Sequence, residues 1–152
     1  MTIKTFRGLL ADGAEDRIRL RTKDGSTGYR IVKLQIIRET PTASTDHMVK
    51  IFKVAQTSVP TSSATIDLSD NTLLAVSTLS GTAFGEYYTT IISDQEVFNQ
   101  DIYVTHTDND GSEGMNYYIE LEQVPLSDNE SAMAILKSLR SKYESYTPAG
   151  PS

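Results

Sequence analysis

The sequence predicts an all-β fold, an antiparallel β-sandwich of jelly-roll-like form with one carboxyl-terminal α-helix, and three observations point there. Several segments alternate apolar and polar residues with the period of a half-buried strand. Polar turns with Gly, Pro, Asn and Asp separate them at modest intervals, giving about eight strands. Only the last stretch carries a helical period. A chain of 152 residues with 38% hydrophobic content suits one domain with one core.

Residues 1–12 read as an amino-terminal arm or edge strand, mixing Ile3, Phe6, Leu9 and Leu10 with Lys4 and Arg7 before an Asp12-Gly13 turn. The sandwich is expected over 13–126. Arg17 to Lys23, RIRLRTK, alternates strictly and predicts a strand with Ile18 and Leu20 on one face and Arg17, Arg19, Arg21 and Lys23 on the other. After Asp24-Gly25, the β-branched run Tyr29 to Ile37 predicts a central strand with Val32, Leu34 and Ile36 facing the core.

Met48 to Val54 forms another predicted strand, apolar on both faces, between two polar loops around Pro41 and Pro60. Leu73 to Leu79 suits a strand or one or two helical turns, and the strand is preferred. Phe84 opens a segment continuing through Tyr87 and Tyr88 to Ile92. The strongest pattern is Glu96 to Gln123, two alternating arms around the polar link TDNDGSEG, which predicts an antiparallel hairpin. Its inward residues are Ile102 and Val104 in one arm and Tyr117, Ile119 and Leu121 in the other.

The helix is expected over 127–145. Ser127-Asp128-Asn129-Glu130 has the form of a capping box, and Ala132, Ile135, Leu136, Leu139 and Tyr143 recur at helical spacing ahead of Lys137, Arg140 and Lys142. That apolar stripe is expected to cover the sandwich or meet another subunit. Residues 146–152, with Pro148 and Pro151, are expected to be a flexible tail.

The net charge of −6 is unevenly placed. Residues 1–53 hold eleven Lys or Arg against six Asp or Glu, whereas 54–152 hold three against fourteen. Early basic strands can lie beside late acidic strands within one molecule, or the two ends can attract neighbouring copies or a charged scaffold. The acidic balance disfavours a nucleic-acid partner for the Arg17–Lys23 face. No run is long and apolar enough for a membrane span and the start has no hydrophobic signal region, so a cytoplasmically made product is expected.

The inventory disfavours catalysis. There is no cysteine, no phosphate or dinucleotide glycine motif and no Gly-x-Ser-x-Gly, and of the two histidines His47 falls in a loop while His106, near the hairpin connection, reads as a loop or strand-end residue. Asp108, Asp110 and Glu113 are the best cation candidates, but their spacing departs from an EF-hand loop and turn geometry explains the same letters. Neither a metal nor a cofactor is expected. Glu120 and Glu122 read as the wet face of a strand, with no Trp to build a sugar platform beside them.

Several stretches together, MTIKTFRGLLADG with RIRL, then GYRIVK, VFNQDIYVTH, NYYIELE and the LSDNE helix start, resemble a family of small uncharacterised virion proteins of tailed phages that infect marine bacteria. The resemblance covers most of the chain and implies a structural particle component. A small acidic sandwich of that kind is expected on the capsid surface as a decoration or cement protein, contacting the major capsid protein and copies of itself as a homo-oligomer. The family has no catalytic set to carry over. Ile3, Phe6, Leu9, Leu10, Arg17, Arg19, Arg21 and Lys23 are the expected partner contacts. The alternative is a tail or tail-fibre component, with Tyr87, Tyr88, Tyr117 and Tyr118 available to bind carbohydrate.

Overall fold

A computed structural model describes residues 2–82 and 85–145, with the side chains of 82 and 142–145 outside that description. The readings of Phe84, of the Lys142 and Tyr143 side chains and of the tail 146–152 therefore fall outside the described residues. The described chain is an all-β sandwich with one helix. Its elements are β1 (Thr2–Leu10), β2 (Glu15–Ile18), β3 (Thr27–Arg38), β4 (His47–Phe52), β5 (Leu73–Thr82), β6 (Gly85–Ile92), β7 (Ile102–Asp108), β8 (Met115–Pro125) and α1 (Asp128–Ser145).

Two antiparallel sheets form, β1-β8-β3 and β2-β7-β4-β5-β6. A long hairpin rolled up on itself joins first strand to eighth, second to seventh, third to sixth and fourth to fifth, which is the winding of a jelly roll. Ladders β1–β8, β2–β7 and β4–β5 follow that winding. Among the described residues no ladder joins β3 to β6. Instead β6 stays paired with β5 and extends the second sheet. Between the sheets lies one core, to which Ile31, Leu34, Ile51, Leu79, Ile102, Val104, Ile119 and Leu121 contribute.

The expected hairpin does not exist. β7 pairs with β2 and β4, whereas β8 pairs with β1 and β3, so the link between them is a corner from one sheet to the other. Both arms keep the predicted inward residues, since Ile102, Val104, Ile119 and Leu121 are fully buried. Buried Asp108 makes the corner by accepting hydrogen bonds from the backbone N–H of Asp110 (3.1 Å) and of Glu113 (2.8 Å).

The strand expected over Arg17–Lys23 is also shorter, ending at Ile18. The backbone N–H groups of Leu20 and Arg21 donate to the Asp101 carboxylate at 2.8 and 2.9 Å, so a side chain takes the place of a neighbouring strand. Leu20 stays buried and Arg19 and Arg21 exposed, so the alternation survives without the ladder. In β3 the register shifts between Ile31 and Lys33, a bulge that changes the inward parity from Tyr29 and Ile31 to Leu34 and Ile36. Val32 sits at that shift and is only half-buried, against the core position expected of it.

Helix α1 is capped as its sequence predicts. Glu130 N–H donates to Ser127 Oγ at 3.2 Å and Ser127 N–H donates to Glu130 Oε1 at 3.1 Å. Ser127→Ala should lower stability by about 1 kcal/mol, read as a shift of the denaturant midpoint with an unchanged slope. The buried face is different from the expected one. Ser131, Ala134, Ser138 and Ser141 are buried, while Met133, Leu136 and Leu139 are 55–63% exposed and Ile135 is half-buried. Buried Asn99 sets this rotation by donating to Ser131 O (3.2 Å) and Gly25 O (3.0 Å), which draws a small-residue face onto the sandwich.

Candidate functional site

A concavity of about 1050 Å3 lies where the β3–β6 ladder is missing. Consecutive residues of all three strands of the smaller sheet line it, residues 7–9 of β1, 34–37 of β3 and 116–118 of β8. There the register sets Leu9 and Ile37 on either side of Asn116, and Arg7 and Gln35 on either side of Tyr118. Tyr88 and Thr90 of β6 form a wall. Leu9, Ile37 and Tyr88 are exposed, an apolar surface with amide, guanidinium and phenol groups interspersed. This arrangement can stack on and hydrogen-bond to a ligand or partner.

Tyr117 has the opposite parity on β8 to Asn116 and Tyr118 and is buried. An atom added at Gly8 would come within 2.8–2.9 Å of the Tyr117 ring, so only glycine leaves room for the ring at that point of β1. The phenol then reaches β2 and donates to Asp16 Oδ2 at 2.8 Å. Burial and that carboxylate both raise the Tyr117 pKa, so the group is a neutral strut between sheets.

The two histidines meet in the interior. Both are buried, stacked with ring centroids 5.1 Å apart, with His47 Nδ1 2.9 Å from His106 Nε2. The network assigns their tautomers. His106 Nδ1–H must donate to Ala11 O (3.1 Å), so its Nε2 accepts from His47 Nδ1–H, and His47 Nε2 in turn accepts from the Thr45 hydroxyl (2.6 Å). All four ring nitrogens are occupied. Burial lowers the pKa of each ring, and both are neutral links between β4, β7 and the β1–β2 turn. His47, expected in a loop, instead opens β4, and His106 lies near the end of β7. The signal in sequence was the apolar and β-branched context of His106 in DIYVTHT, which marks a buried position.

Asp108 likewise serves the fold. Burial pushes its pKa up, but the N–H groups of Glu113 and Asp110 outweigh that and hold it below the usual value. Asp110 accepts from Asp46 N–H at 2.7 Å. Among the described residues no group of three or more His, Asp or Glu is placed to hold a metal ion, and no helix is long and apolar enough to cross a membrane.

The expected partner residues are scattered by the fold. Ile3 and Leu9 are exposed on β1, Phe6 is half-buried against the core, and Leu10, 1% exposed, belongs to the core itself, packed there because it pairs with Met115 on the inward face. Arg17 is tied to Asp101, with Nη2 at 2.6 Å and Nε at 2.8 Å from Oδ2. Arg19, Arg21 and Lys23 are exposed beyond β2. Ion pairs Arg17–Asp101, Arg30–Glu122, Lys33–Glu120, Arg38–Glu86 and Lys53–Glu96 each join an early cation to a late carboxylate. The uneven charge of the sequence is thus spent in part on cross-strand pairing inside the molecule.

No family model matches this chain, and no curated protein matches it. Among solved structures, a chain of Bacillus endospore appendages, a family of disulfide-linked pili, aligns over 83% of this chain and 90% of its own, with 9% identity and a TM-score of 0.33. A likeness of that degree carries no argument about role.

Proposed function

We propose that this chain is a non-enzymatic structural protein of a virion, a decoration or cement protein that sits on the outer surface of a bacteriophage capsid and stabilises the head. On that reading it is made in the host cytoplasm and binds the major capsid protein and copies of itself. The observation that carries the proposal is the distribution of side chains. Groups capable of chemistry, His47, His106 and Asp108, are committed to the scaffold, whereas Met133, Leu136, Leu139 and Tyr87 are more than half exposed. Apolar surface of that kind on a non-catalytic frame is suited to binding other proteins. The resemblance to phage virion proteins supplies the setting, and the exposed Arg19, Arg21 and Lys23 supply a cationic contact for an acidic neighbour.

The test is to locate the protein in purified particles by electron microscopy with a specific label. Label on the head, with particles lacking the protein losing their genome at a lower temperature, is the expected result. Label confined to the tail would replace this reading with the tail-component alternative. One observation favours a carbohydrate-binding form of that alternative, the groove bearing Tyr88, Tyr118, Gln35, Asn116 and Arg7. Binding on a glycan array that is lost in Tyr118→Ala would establish it.

A further inference from the structure

The four sheet edges are not treated alike. β2 is four residues long and carries Glu15, Asp16 and Arg17. β1 carries Lys4 and Arg7, and β3 has its bulge together with Arg30, Lys33 and Arg38. Shortness, charge and bulges are the devices that stop edges from pairing with other chains. β6, GEYYTTII, is neither short nor bulged and carries a single charge. It runs eight residues without proline, is exposed from end to end save for half-buried Ile92, and pairs with no strand on its outer side among the described residues. Its one charge, Glu86, faces Arg38 at 3.5 Å within the same molecule.

We propose that β6 is a self-association edge, pairing antiparallel with β6 of a second copy about a two-fold axis at Thr89. An axis normal to the sheet keeps like faces together, so residues of the same parity must stand opposite. Centred on Thr89, the ladder sets Thr89 against Thr89, Tyr88 against Thr90, Tyr87 against Ile91 and Glu86 against Ile92. Thr–Thr and aromatic–β-branched pairs are favourable cross-strand neighbours. Charge selects this edge over the others, because Glu86 meets an apolar residue, whereas self-pairing of β1 or β3 gathers cations. The groove beside Tyr88 and Thr90 leaves the inner face of the added strand room to settle. The inference rests on the proposed structural role only in taking a second copy as the occupant.

Sedimentation of the isolated chain over a concentration series tests it. A monomer–dimer equilibrium is expected, and Thr89→Lys, which sets two ammonium groups opposite each other, should weaken it by about tenfold or more while circular dichroism and thermal unfolding of the monomer are unchanged. The chain has no cysteine, so Thr89→Cys gives a single-site probe. Cross-strand partners lie about 4.5–5.5 Å apart at Cα, within reach of a disulfide. Thr89→Cys should form a linked dimer on oxidation, and Arg19→Cys, past β2 at the far edge of the same sheet, should not. A wild-type chain that is monomeric throughout, or a dimer that survives Thr89→Lys while Thr89→Cys stays unlinked, overturns the proposal. Those are outcomes in solution, whereas the capsid reading fails only on the particle.

Discussion

Ile119→Asp should leave the protein unfolded at room temperature. Ile119 is fully buried at the centre of β8, with Phe6 opposite it on β1 and Leu34 on β3, so both neighbouring strands pack on its side chain. The substitution removes an apolar side chain from the core, about 2–5 kcal/mol with the cavity it leaves, and puts a carboxylate where no partner is within reach. The chain must protonate that group or open. Together these effects match or exceed the total stability of about 5–15 kcal/mol that an ordinary domain holds. The next residue supplies the control. Glu120 faces the other way, its carboxylate 3.7 Å from Lys33 and both side chains partly in water, so Glu120→Ala should change stability by about 0.5 kcal/mol or less. Near-ultraviolet circular dichroism and denaturant titration of both variants check the parity. A folded Ile119→Asp would mean that β8 presents its other face to the core.

That parity was legible in the sequence, because Tyr117, Ile119 and Leu121 alternate with charged or polar neighbours over a run too long for coincidence. The capping box was legible too, since Ser127 and Glu130 satisfy each other locally. What the residues did not show was which strand each segment meets. A short polar link between two strands is equally compatible with a hairpin and with a corner between sheets, and Asp108 turning inward to hold the Asp110 and Glu113 N–H groups made it a corner. The helix misled for a related reason. Hydropathy selects Leu136 and Leu139, but Asn99, about thirty residues earlier, draws the Ser131 face inward. The candidate surface was half visible. Leu9, Tyr88 and Tyr118 drew notice by type, yet their meeting in one groove depends on the absence of a β3–β6 ladder, a property of three-dimensional pairing with no local signature.

Acid should destabilise the protein well before its carboxylates titrate, and the buried histidine pair is the cause. The relay through Thr45, His47, His106 and Ala11 O is built with both rings neutral. A proton added at His106 Nε2 confronts the His47 Nδ1–H, and one added at His47 Nε2 removes the acceptor of the Thr45 hydroxyl, so the network must reorient around a buried charge. Asp108 and Asp110 around His47, and Asp12 and Asp108 around His106, favour the charged form, while Arg38 opposes it at His47. Burial is the largest influence on each ring, and both pKa values fall below the ordinary 6.5. The unfolded chain therefore binds protons first. Stability is at its full value above about pH 6.5 and is lost as pH falls below it, down to the lowered folded values, with a slope of about 1.4 kcal/mol per pH unit for one ring and at most about 2.7 for both. Carboxylates held low in the fold, such as Asp101 and Asp108, have an ordinary value of 3.8 and withdraw their support only as pH falls towards and below it. The window from pH 6.5 to 5 thus reports chiefly the histidines. Thermal unfolding across that window should show Tm falling steadily, and His47→Gln should flatten the curve even as it lowers Tm at pH 7.5. A Tm independent of pH between 7.5 and 5 would show that the pair accepts a proton without cost.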